Sequence, residues 1–211
     1  MMKGHGNYMP PAGGNPGVAV VGPQFMVPYP IDLTIQRKML TLSEGNFNVT
    51  DSNGTLMFSI KGRLLSLRDR RVLLDVYGNP VVSLQQKVLS LHRRWEVYRG
   101  DSTDSKDILF TVKKSHILQL KTELEVFLPS NTSERHYDFK LKGSWFEKAC
   151  TIYAGNHSNV IAQMRKVHSI TNVVFGKDKF LVTVYPHVDY AFIVTLIVIL
   201  EEINEDRKDE D

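Results

Sequence analysis

From Asn46 onward, apolar and polar residues alternate with a period of two through most of the chain. Phe47 and Val49 alternate with Asn46, Asn48 and Thr50; Leu56, Phe58 and Ile60 alternate with Met57, Ser59 and Lys61. Such alternation predicts strands with one face on a core and the other in water. Between the two runs lies Asp51-Ser52-Asn53-Gly54. Asn-Gly there predicts a hairpin with a type I′ turn, whose two central residues both need positive φ. The same design recurs at Arg71 to Leu84, with Asp75 and Gly78 in the places of Asp51 and Gly54. Leu118, Leu120, Leu124, Val126 and Leu128 alternate with Gln119, Lys121, Glu123 and Glu125, which reads as one long half-buried strand. Phe139/Leu141 and Phe180/Val182/Val184 continue the theme, and turn clusters fall at Gly100–Asp107, Ser130–Glu134, Gly155–Asn159 and Gly176–Lys179. Many short strands with regular turns predict a mainly β, antiparallel sandwich or barrel; a barrel leaves no edge strand open.

The segment Asp189 to Ile203 breaks this pattern, because Tyr190 to Leu200 has no polar face and must be surrounded wherever it lies. Its β-branched residues favour a strand. Against that, Asp189 after Pro186 is a good helix N-cap, the run is long for a strand, and Glu201-Glu202 suits a strand core poorly. Strand and helix both remain open on periodicity. As a helix the apolar run is short of the roughly 20 residues that cross a bilayer, so no transmembrane span is expected.

The 211 residues fit one domain, and 42% hydrophobic with 23% charged residues is ordinary for a globular chain. A single cysteine, Cys150, excludes an intrachain disulfide and any multi-cysteine zinc site. Charge changes the picture more. Residues 61–114 hold 12 Lys/Arg against 6 Asp/Glu, whereas Glu201–Asp211 hold 7 acids against 2 bases. The basic middle favours anionic partners, though charged outer strand faces alone also account for it. The first 30 residues contain 6 of the 14 glycines and 6 of the 9 prolines and read as a flexible leader without a signal-peptide core. Neither myristoylation nor prenylation is signalled. The sequons at Asn48, Asn53, Asn131 and Asn156 are then accidental, and an intracellular protein is expected, cytoplasmic or nuclear or peripheral at the plasma membrane.

Enzyme motifs are missing: no G-x-S-x-G, H-E-x-x-H, P-loop or dinucleotide fingerprint occurs, and no cofactor is implied. His92 beside Arg93-Arg94 reads as a surface residue, and Cys150 as a buried thiol without an activating partner. Asp101–Asp107 resembles a calcium loop only superficially, since Lys106 and Val112 stand where glycine and glutamate belong.

The stretches Pro28–Leu33, Arg71–Asp75, Arg94–Gly100, Gly143-Ser144-Trp145 and Val184–Phe192 resemble the plant LURP-one-related proteins, in the family's order from about Pro28 to Asn204. The resemblance implies a tubby-like fold, a closed twelve-stranded antiparallel barrel around a hydrophobic C-terminal helix at about residues 189–203, its core made by Phe192, Ile193, Leu196, Ile197 and Leu200. It divides the chain into a leader (1–24), a barrel domain (25–203) and an acidic tail (204–211). It further implies a non-enzymatic module related to phosphoinositide-binding, membrane-tethered transcription regulators, with a part in plant defence. A scramblase-like membrane protein and a protein-docking scaffold are the alternatives. In the lipid reading, Arg68, Arg70, Arg71, Arg93, Arg94, Lys113 and Lys114 form the anion-binding face for phospholipid headgroups. A protein partner also fits, a nucleic acid fits poorly, and a monomer is expected.

Overall fold

The computed structural model describes residues 17–37, 47–62, 70–87, 94–118, 121–144, 149–155, 159–167 and 179–208. Twelve strands follow in chain order: β1 (Ile31–Arg37), β2 (Phe47–Thr50), β3 (Leu56–Gly62), β4 (Arg71–Leu74), β5 (Pro80–Gln86), β6 (Trp95–Arg99), β7 (Ile108–Leu118), β8 (Lys121–Phe127), β9 (Phe139–Ser144), β10 (Ala149–Ala154), β11 (Asn159–Lys166) and β12 (Lys179–Val184). Each pairs antiparallel with its neighbours in sequence, and β1 closes the barrel between β2 and β12. Among the described residues the α-helix α1 (Tyr190–Lys208) completes the order.

The helix runs through the bore. Ala191 to Leu200 are all buried, and so are the inward residues of the wall, among them Leu33, Ile60, Leu73, Leu84, Val97, Leu124, Leu141, Ile152 and Val182. Phe192 stands edge-on to Phe110, centroids 5.1 Å apart, and 4.9 Å from Phe139. Closure of the barrel explains why a β-branched segment is helical. No sheet edge remains for it to join, and a helix satisfies its backbone N–H and C=O groups internally in a dry bore. Thr195 obeys the same demand, its hydroxyl donating to the Ala191 carbonyl at 2.8 Å.

Two readings of the sequence need correction. The apolar alternation across 118–128 is not one strand: β7 ends at Leu118, β8 begins at Lys121, and those two residues face each other in the ladder. The hairpin loops at Asp51 and Asp75 are also not type I′. Left-handed φ occurs at Gly54 (84°) and Gly78 (85°), while the left-handed non-glycine residues described are Glu134 and His187. In each loop the aspartate Oδ1 accepts two backbone N–H groups, from Asn53 and Thr55 (2.9 and 2.8 Å) or from Tyr77 and Asn79 (2.9 and 2.8 Å). The glycine N–H donates back to the aspartate carbonyl at 3.1 Å in both. This is a type I turn closed by a left-handed glycine, the three-residue hairpin connection. A Cβ at Gly78 meets no atom within 4 Å, so Gly78→Ala isolates the backbone cost. Urea unfolding is expected to show a loss of about 1 kcal/mol.

Within the stretch of 30 residues that composition reads as a flexible leader, the residues from Gly17 onward are tied to the end of the barrel where α1 begins. Val18 bridges Val188, its N–H donating to the His187 carbonyl at 2.9 Å, and the Asp189 carboxylate gathers the N–H groups of Val20, Val21 and Gly22. Phe25 packs against Phe58 and Tyr190. At the opposite end α1 continues to Lys208, through residues that composition assigns to an acidic tail.

Candidate functional site

Outward positions of the wall carry Asp32, Lys113, Glu125, Lys140, Lys142 and Arg165, alternating with the buried inward residues. That is the reverse of a lipid-facing barrel, whose apolar side is outside. Among the described residues no helix is long and apolar enough to cross a membrane, and no cluster of three potential metal ligands occurs.

Of the seven basic candidates, Arg68 and Arg93 lie outside the described residues. The others are not gathered into one face. Arg71 points into the barrel mouth and meets Glu202 of α1 at 2.6 Å. Arg70, next to it in sequence, points outward and donates to the Asp101 carboxylate (2.8 Å) and to the carbonyls of Asp101 (2.8 Å) and Ser102 (3.3 Å). The Ser83 hydroxyl donates to the same Ser102 carbonyl at 2.8 Å, so the loop after β6 lies across the wall. Lys114 is half-buried in β7 and is itself engaged.

Arg94 and Lys113 do come together, around a residue the sequence reading did not single out. The Arg94 guanidinium donates in parallel to both Glu134 oxygens, at 2.9 and 2.8 Å, and the Lys113 ammonium donates to Oε2. Lys113 also lies over the Phe127 ring, 4.8 Å from its centroid. Glu134 comes from the loop between β8 and β9 and is held with φ at 47°, its N–H donating to Asn131 Oδ1 at 3.2 Å. Asn131 Nδ2 in turn donates to the His136 carbonyl (2.7 Å) and to Asp138 Oδ2 (2.9 Å), the oxygen that accepts the Leu128 N–H at 2.8 Å. Arg94 above all, and Lys113 with it, hold the Glu134 carboxyl below the ordinary range against its partial burial. Nothing in the local pattern Ser130–Glu134 announces this, because the cations that select Glu134 arrive from β7 and the approach to β6.

The remaining chemical candidates are committed within the fold. Cys150 is buried, and burial, with Glu201 nearby, pushes its thiol far above the range in which a thiolate forms. In the Asp101–Asp107 loop, Asp104 accepts the Lys106 N–H at 3.0 Å and Asp107 accepts the Ser102 hydroxyl at 2.7 Å, so these carboxylates serve the turn. His92 lies outside the described residues.

The model of the LURP-one-related family matches residues 31–201 of the chain. Among curated relatives, LURP-one-related 15 of Arabidopsis thaliana is 53% identical over 199 residues, covering 94% of this chain and 90% of the relative. LURP1 of the same plant is 45% identical over 186 residues, covering 88% and 90%. An X-ray structure of an Arabidopsis thaliana protein, 45% identical, superposes with a TM-score of 0.70 and covers 89% of this chain and 99% of that one.

Proposed function

The chain belongs to the LURP-one-related family, and from that premise we propose that it is a non-enzymatic binding module. Its outer wall meets anionic phospholipid headgroups and so tethers a regulator at a membrane. The observation that carries this reading is the convergence of Arg94 and Lys113 beside Phe127 on the outside of the barrel. α1 fills the bore with its own side chains, which directs recognition to the exterior. Cations near an anionic leaflet contribute about 1 kcal/mol each and are screened by salt. Sedimentation with phosphatidylcholine vesicles carrying a phosphoinositide is expected to show salt-sensitive binding. Arg94→Ala/Lys113→Ala is expected to weaken it by about tenfold or more. Absence of cosedimentation at low salt counts against the reading.

A second reading, a protein-docking scaffold without a lipid ligand, draws on another feature. Tyr29, Leu56, Val76 and Tyr77 are exposed on the arc from β1 to β5 at the end where α1 begins, Tyr77 at 87%. Absence of cosedimentation at low salt, with a protein partner retained by the wild type and lost by Tyr77→Ser, favours this apolar rim.

A further inference from the structure

The sequence holds a single Asn-Gly pair, Asn53-Gly54, and the fold places it at the exposed tip of the β2–β3 hairpin. An asparagine carboxamide is open to attack by the main-chain nitrogen of the next residue, and a following glycine leaves that nitrogen unshielded. What holds the two groups then decides their fate. Among the described residues no hydrogen bond fixes the Asn53 carboxamide, although its backbone N–H donates to Asp51 Oδ1 at 2.9 Å. The Gly54 N–H donates to the Asp51 carbonyl at 3.1 Å, the longest of the four bonds that close the loop. A Cβ at Gly54 would meet no atom within 4 Å, so solvent and a forming ring both have room.

The other described asparagines are protected by their places in the fold. Asn79 precedes Pro80, whose nitrogen carries no proton, and its Nδ2 donates to Asp75 Oδ2 at 3.0 Å. Asn131 is tied through both ends of its amide, to the Glu134 N–H and to the His136 carbonyl and Asp138 carboxylate. Asn48 and Asn159 lie in strands before Val49 and Val160, whose branched side chains screen the nitrogen, and Asn204 lies in α1. The β4–β5 hairpin builds the same turn with Tyr77 before Gly78, where the reactive amide is missing.

We infer that Asn53 is a site of spontaneous covalent modification, converted through a cyclic imide with Gly54 into aspartate and isoaspartate. The Gly54 nitrogen gives up its proton to solvent base and bonds to Asn53 Cγ. The Cγ–Nδ2 bond breaks, and ammonia leaves with a proton returned by solvent. Water then opens the imide at either carbonyl, and it is the only co-reactant. Opening at the main-chain carbonyl routes the backbone through Cβ and lengthens it by one bond, about 1.5 Å. In that product the Asn53 and Thr55 N–H groups no longer both reach Asp51 Oδ1, and the loop loses its closure. Either product adds a carboxylate beside Asp51, at the end of the barrel where Leu56 and Tyr77 are exposed. The change is one-way in water alone, so the modified fraction grows with the age of the molecule. It depends on neither binding reading.

The test holds the purified full chain at neutral and mildly alkaline pH and reads its peptides by mass spectrometry. The peptide carrying Asn53 is expected to gain one mass unit, faster at the higher pH. In water labelled with heavy oxygen it keeps one labelled oxygen. Methyl transfer from labelled S-adenosylmethionine by an isoaspartyl methyltransferase measures the isoaspartate. Asn53→Gln sets the amide one methylene further away; it is expected to lose both signals while melting like the wild type. Amide exchange at Asp51 and Thr55 is faster in the isoaspartate fraction, with the β4–β5 hairpin unchanged as the internal reference. Conversion at Asn79 or Asn131 as fast as at Asn53 overturns the assignment. A native chain that stays unmodified overturns it too, and conversion confined to the urea-unfolded chain then shows that the turn protects the pair. Equal exchange in the modified and unmodified fractions overturns the loss of closure.

Discussion

Ile197→Asp is expected to leave no cooperatively folded protein. Ile197 lies in the buried stretch of α1, fully enclosed by the strands of the barrel. The substitution removes about 2 kcal/mol of apolar burial and places a carboxylate where the surroundings are apolar. An unpaired buried charge costs several kcal/mol more, and protonation lessens this without removing it. Domains of this kind are stable by about 5–15 kcal/mol, so one residue consumes most of the margin. The wall gives no relief, because its strands are hydrogen-bonded all the way round and cannot part at one seam without losing a ladder. Ile197→Val separates packing from charge and is expected to cost about 1 kcal/mol. Near-UV circular dichroism and thermal unfolding decide the matter. Normal expression and a cooperative melt of the aspartate variant contradict burial of the helix.

The wall of the barrel was readable because alternation survives on strands such as β2 and β12: their inward residues are apolar to meet α1, and the outward ones are free to be polar. Alternation does not count strands, however. Leu118 and Leu124 lie on different strands, and the reversal between them carries no glycine or proline to announce it. The helix was the reverse case. Its local propensity points to a strand, and Asp189 as an N-cap supplied the best local sign of the truth; the deciding influence is the closed wall, which no window of sequence contains. Basic residues were visible as a class, but their roles were not. Arg70, just before β4, and Arg71, its first residue, are adjacent in the chain, yet one reaches Asp101 in the loop after β6 and the other Glu202 of α1. Glu134 was illegible for a related reason: its partners come from β7 and from the residue before β6, and pairing across a barrel wall leaves no mark in sequence spacing.

Asp189→Ala is expected to release the N-terminal strap and to lower the melting temperature by about 6–12 °C, the equivalent of roughly 3 kcal/mol. The Asp189 carboxylate is fully buried and serves two elements at once. Oδ1 accepts the Phe192 N–H at 3.0 Å, capping α1; Oδ2 accepts the N–H groups of Val20, Val21 and Gly22 at 3.2, 2.7 and 2.9 Å. Burial still pushes the carboxyl above its ordinary range, more than these four donors pull it back. Loss of the cap alone costs about 1 kcal/mol. The three strap amides cost more if they stay buried without an acceptor, but the strap can lift and hydrate them, which sets a ceiling on the loss. Asp189→Asn sharpens the argument, because the amide has one acceptor oxygen and every donor surrounds it. The side chain must turn its NH₂ either to the strap or to Phe192, and facing Phe192 sacrifices one bond instead of three. The asparagine variant is therefore expected to lose about half as much stability as alanine and to keep the strap docked. Hydrogen exchange at Val20, Val21 and Gly22, read beside the melts, separates the two. Strap amides that stay protected in the alanine variant, with a melting point close to wild type, show that other contacts hold the strap and that Asp189 does not.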